Sequence, residues 1–164
     1  MEQIENILQH TRKNKGDQWN QLIEIQRLIN SHRIKSVFVN QSDEGFIANY
    51  IKYTKEKVCL NSIDDKHFKE FGDYENCTYL NLPLETVNIQ KYELMHINTN
   101  HDFVDWEMFM ARMLRLNPKY LVLTNTKIEP HKKNKILQNV FKKHYHIDTQ
   151  FDDYNGTIIL KYMS

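Results

Sequence analysis

Glycine is scarce in this sequence, four in 164 residues. That scarcity excludes the glycine-rich loops through which nucleotide-binding proteins bring backbone N–H groups to a phosphate without a Cβ in the way. Neither a Walker loop nor a Gly-x-Gly-x-x-Gly run occurs. Two cysteines, Cys59 and Cys77, are too few for a disulfide scaffold. Both lie in apolar, strand-like stretches and read as buried thiols in a reducing cytoplasm. An excess of one charge is missing as well: 22 Lys and Arg stand against 21 Asp and Glu, a net charge of +1. The chain as a whole therefore has no electrostatic pull toward nucleic acid or acidic lipid. No apolar run approaches the ~18 residues of a membrane span, and residues 1–15 are too polar for a secretory signal. Gly-x-Ser-x-Gly, His-Glu-x-x-His and Cys-x-x-Cys are all absent.

What is present is the patterning of a folded α/β chain. Hydrophobic residues make up 40% of it, enough for one domain with a substantial core. Ile4, Ile7, Leu8 and Thr11 repeat at helical spacing, and a second helix is expected over Asp17–Asn30, with Trp19, Leu22, Ile23, Ile25 and Ile29 forming a broad apolar face. From there strands and helices alternate. Strands are expected at 34–40, 57–61, 76–82, 92–98 and 120–124. Helices are expected at 46–53, after a cap at Asp64 or Asp65 with Phe68 and Phe71 inward, at 103–116 and at 132–143. The strands 144–151 and 157–162 flank Asn155-Gly156, a hairpin signal.

This order predicts an α/β three-layer Rossmann-like sandwich. Its seven-stranded sheet is mostly parallel and ends in an antiparallel hairpin. Residues 1–32 are expected to form helices packing on an α/β domain over 33–164, a single domain overall.

Three segments carry a family resemblance. Ser36–Phe46, an apolar strand followed by a polar loop, resembles a Glu-Ile-Gly-x-x-x-Gly opening. Met95–Asp105 resembles an apolar-Ile-Asp-Gly-x-His motif followed by an acid. Leu116-Asn-Pro-Lys-Tyr-Leu-Val-Leu-Thr-Asn125 resembles a Leu-x-Pro-Gly-Gly-Tyr-apolar-His-Asp segment. Their order and spacing are similar to those of class I S-adenosylmethionine-dependent methyltransferases, in particular the cephalosporin hydroxylase and rhamnosyl O-methyltransferase group.

The resemblance implies a cofactor site at Gln41, Asp43, Gly45 and Ser62. Only Gly45 keeps the family's residue there: bulky polar side chains hold the glycine positions, and Ser62 stands nearest the acid that grips the ribose hydroxyls. It also implies metal-binding positions at Asn98 and Asn125. There the family's acids have become amides, and two formal charges that magnesium favours are gone. His101 and Asp105 match the family and would be the catalytic pair if the protein is active.

The expectation is therefore a methyltransferase-like pseudoenzyme with no bound cofactor and no metal. It would act in the cytoplasm by binding a protein partner or itself. An active, divergent O-methyltransferase using S-adenosylmethionine is the alternative. A second alternative is a nucleic-acid or phosphate binder using the basic face Lys132, Lys133, Lys135, Lys142 and Lys143. His144 and His146 share a strand face, with Tyr145 on the other, and could ligate a metal only with a third ligand that the sequence does not offer.

Overall fold

The computed structural model describes residues 2–83, 86–87, 91–99, 112, 115–128 and 143–163. Contacts divide the chain into two compact units, Met1–Leu82 and Pro83–Ser164. The strands form a seven-stranded mixed sheet in the order β3-β2-β1-β4-β5-β7-β6.

The first unit holds α1 (Glu2–Asn14), α2 (Gly16–His32), β1 (Ser36–Asn40), α3 (Glu44–Tyr53), β2 (Lys57–Asn61), α4 (Asp65–Phe71) and β3 (Cys77–Leu80). The strands are parallel, with Phe38 opposite Cys59 and Cys59 opposite Thr78. β1 is buried from Val37 to Asn40, the continuous apolar run of a strand covered on both faces. α3 is buried from Gly45 to Ile51, because α1 and α2 pack against it. Ile4 and Leu8 of α1 and Leu22, Ile25 and Ile29 of α2 supply that contact. At ~1.5–3 kcal/mol per buried large aliphatic side chain, this packing dominates the docking of the N-terminal helices.

Polar locks fix the register. Gln26 donates to Asn49 Oδ1 at 2.7 Å, and Asn49 donates to the Leu22 carbonyl at 3.2 Å. Asn76 Nδ2 donates to the carbonyls of Ile51 and Thr54, satisfying the open end of α3.

The second unit holds β4 (Leu94–Asn98), β5 (Tyr120–Thr124), β6 (Tyr145–Phe151) and β7 (Thr157–Tyr162). β4 and β5 are parallel; β5–β7 and β7–β6 are antiparallel. The hairpin turn passes through Tyr154, Asn155 and Gly156, all with φ between +47° and +82°. A Cβ on Gly156 would lie 2.5 Å from Thr126 Oγ1, so close approach as well as φ requires glycine there.

Several expectations shift. β1 begins at Ser36 rather than Ile34, and β3 covers only Cys77–Leu80. Trp19 is half-buried, not core. Phe71 is fully buried as expected, but Phe68 is 57% exposed. The two lie roughly 60° apart round α4, and Phe68 packs on the Tyr79 ring, 5.1 Å between centroids, instead of entering the core. Both cysteines are buried free thiols, and burial pushes the Cys77 thiol up to about 12. The helices expected at 103–116 and 132–143 lie almost entirely outside the described residues. Among the described residues no helix is long and apolar enough to cross a membrane.

Candidate functional site

In open α/β sheets ligands bind beyond the carboxyl ends of the strands. At the ends of β1 and β2 the strand-terminal residues are both buried asparagines. Asn61 Nδ2 donates to Asn40 Oδ1 at 2.8 Å and to the Leu82 carbonyl at 3.0 Å, and Asn61 Oδ1 accepts from the Leu82 N–H. Asn61 is therefore committed to holding the strand ends.

Gln41 follows with φ +52°, the left-handed conformation that glycine adopts without strain. Its N–H donates to the Asn61 carbonyl at 2.9 Å. Asp43 sits at the N-cap of α3, but its carboxylate makes no capping bond; Gln18 Nε2 reaches it at 3.4 Å. Gly45 lies in the first turn of α3. A Cβ there would stand 3.0 Å from Thr11 Oγ1 and 3.1 Å from Gln18 Oε1. The glycine that matches the family thus admits α1 and α2 close against α3.

After β2, Ser62 is fully buried. Its Oγ is 2.8 Å from His67 Nδ1 and accepts the Asp64 N–H at 3.2 Å. Asp64 caps α4 by accepting the Lys66 N–H at 2.9 Å, and its Oδ2 lies 3.8 Å from His67 Nε2. Tyr79 donates its hydroxyl to the carbonyls of Ser62 and Asp64.

Gln41, Asp43, Ser62, Asp64 and His67 border a cavity of about 440 Å3. The β1–α3 loop contributes Gln41, Ser42, Asp43 and Glu44, and the β2–α4 turn contributes Ser62, Asp64 and His67. His10 and Lys15 form the remaining wall. A smaller cavity of about 220 Å3 adjoins it, shares His10, Lys15 and Glu44, and reaches Gly45. Gln41, Asp43, Gly45 and Ser62 are thus gathered on one pair of cavities. His10, Lys15, Glu44 and His67 join them without any spacing signal in the sequence. Glu44 carries an ion pair with Lys66 at 2.6 Å, and Lys66 lies 3.4 Å from Glu70. Burial, with Glu44 nearby, raises the Glu70 carboxyl above its ordinary range.

The second unit arranges its strand ends differently. Asn98 closes β4, and Asn125 follows β5 with φ +60°. Asn125 Nδ2 donates to Asn98 Oδ1 at 2.6 Å. Thr99 donates its hydroxyl to the Thr124 carbonyl at 2.6 Å, and Thr124 Oγ1 lies 3.4 Å from His96 Nε2. Complete burial pushes the His96 imidazole down to about 3, so it is neutral. A magnesium ion requires charged oxygens in tight octahedral array. Two neutral amides bonded to each other do not fit it.

His101 and Asp105 lie outside the described residues, as do Lys132, Lys133, Lys135 and Lys142. Lys143 is exposed. His144 and His146 are exposed, while Tyr145 is buried on the opposite face and donates to the Pro118 carbonyl at 2.7 Å. Among the described residues no three His, Cys, Asp or Glu side chains converge as a metal site.

No family model matches the chain. No curated protein matches it by sequence. Solved structures do match. A methyltransferase from Geobacter sulfurreducens superposes with a TM-score of 0.70 at 14% identity, covering 100% of this chain and 89% of that one. The class I methyltransferase fold is the fold of this chain. A Podospora anserina methyltransferase bound to S-adenosylhomocysteine aligns at TM-score 0.62 and 10% identity, over 100% of this chain and 89% of its own. The N-methyltransferase NodS of Bradyrhizobium japonicum, also with S-adenosylhomocysteine, aligns at 0.66 and 6% identity, over 97% and 100%. At such identities the likeness to methyltransferases lies in the fold.

Proposed function

We propose that this methyltransferase-fold protein does not transfer methyl groups and acts as a non-catalytic binding protein. Its cavity beyond β1 and β2 is rebuilt for a different ligand. The carrying observation is the cavity wall. Every described side chain lining the 440 Å3 cavity is polar, and three are carboxylates, Asp43, Glu44 and Asp64. An adenosyl group presents two apolar ring faces, and small-molecule pockets normally meet such faces with apolar side chains. It also presents ribose hydroxyls, which a carboxylate at the end of β2 would accept; Ser62 stands there and is bonded to His67. The amide pair Asn98–Asn125 offers no charged ligand to a metal.

One observation favours the alternative, an active and divergent S-adenosylmethionine-dependent methyltransferase. The cavity is open at the strand ends where this fold receives ligands, and two structural neighbours carry S-adenosylhomocysteine. Calorimetric titration with S-adenosylmethionine and S-adenosylhomocysteine, with and without magnesium, separates the readings. The proposal expects no saturable heat. Binding of micromolar strength, about −8 kcal/mol, would overturn it.

A further inference from the structure

The sheet ends in two edge strands, β3 and β6. The register of β6 is interrupted at Asp148, and His146 and Asp148 are exposed on it. Bulges and charges are the devices that keep an edge from pairing with another strand. β3 lacks both: it pairs with β2 in unbroken register, and Asn76–Leu82 carries no charge. The Asn76 and Leu80 carbonyls accept from β2, so by alternation the outer edge presents the N–H and carbonyl of Tyr79 and the carbonyl of Cys77. Large apolar side chains flank that edge. Phe68 lies on the Tyr79 ring, and Phe68, Ile63 and Leu82 are all exposed. Phe68, Asp65 and Lys69 share one side of α4, within roughly 100° of arc. His67 and Lys66 occupy the other side, toward the cavity and Glu44.

We infer that the β3 edge joins two copies of the chain about a two-fold axis through Tyr79. β3 pairs antiparallel with its copy, each Tyr79 N–H donating to the other's Tyr79 carbonyl. The helices agree with that register. Strands stand ~4.8 Å apart and a crossover helix lies over its own strand pair, so the two α4 helices run side by side about 10 Å apart, the distance at which helices pack. Phe68 meets its own copy between them. The two helices are antiparallel, so each Asp65 faces the other's Lys69, whereas a parallel arrangement would set like charge against like. This self-complementarity under a two-fold selects a second copy as the occupant. The inference does not depend on what the cavity binds.

Sedimentation equilibrium of the whole chain over a range of concentrations tests it. A reversible monomer–dimer equilibrium is expected. Phe68→Glu weakens the dimer roughly tenfold or more, whereas Ile147→Lys on the β6 edge leaves it unchanged. Asp65→Lys and Lys69→Glu each weaken it by setting like charges opposite one another, and an equimolar mixture of these two variants recovers association. All four positions are exposed, and circular dichroism verifies folding. A dimer indifferent to Phe68→Glu, or a mixture that associates no more tightly than its components, would overturn the inference. So would a chain that stays monomeric at every concentration, an outcome that leaves the edge to a strand of another protein.

Discussion

The two units end their parallel strands with the same chemistry and opposite outcomes. In the first, Asn40 and Asn61 are paired and buried, and beyond them lies a cavity walled by histidines, carboxylates and a lysine. In the second, Asn98 and Asn125 are paired, and the groups around them close on one another: Thr99 on the Thr124 carbonyl and Thr124 against a neutral, buried His96. Among the described residues, a cavity with charged walls lies beside the first pair. The same amide pairing thus borders a polar cavity in the first unit and a threonine–histidine cluster in the second.

The largest effect expected from this comparison is on acid stability. His96 is neutral when folded, its pKa pushed down to about 3 from 6.5. The unfolded chain takes up its proton first, so stability is present above about pH 6.5 and is lost as pH falls toward 3. The slope is roughly 1.4 kcal/mol per pH unit within that window. Urea unfolding at stepped pH should show this loss, and His96→Gln should flatten it. A wild-type curve that is level between pH 6.5 and 4 would contradict a buried, neutral His96.

Next in size is Asn61→Ala. It strips partners from Asn40 Oδ1 and from both backbone groups of Leu82, and should cost about 2–4 kcal/mol in denaturant unfolding. Gly156→Ala combines a left-handed φ with a 2.5 Å approach to Thr126 and should cost about 1–3 kcal/mol. The smallest change is Asn125→Gly. It loses one amide bond but relieves a φ of +60°, and should stay within about 1 kcal/mol of wild type. A loss at Asn125 as large as that at Asn61 would erase the contrast between the two pairs.

The strands were legible because apolar runs announce them: β2, β5 and β7 fall on the residues that the pattern marked. Asp64 was readable as a cap because a short polar residue ahead of a helix has an N–H to accept. Phe68 misled because α4 has only seven residues, and a neighbouring Tyr79 ring offered it a surface outside the core. The altered loop could be read from its missing glycines, yet its left-handed Gln41 could not, since nothing in the composition marks glutamine for that conformation. His10 of α1 and Lys15, the N-cap of α2, meet His67 of α4 at the cavity across more than fifty residues of sequence, where no spacing rule connects them. Gly45 was singled out as a cofactor-loop position, whereas its close contact with Thr11 and Gln18 emerges only once α1 and α2 are docked.

The central claim is that the strand-end cavity of the first unit is not an S-adenosylmethionine site. Amide chemical shifts of residues 41–45 and 62–67, followed while S-adenosylhomocysteine is added, test it most directly. The account predicts that these signals stay in place at ligand concentrations where enzymes of this fold are saturated. Saturable shifts centred on Gln41, Gly45 and Ser62 would contradict it and make the chain a working, if divergent, cofactor-binding enzyme.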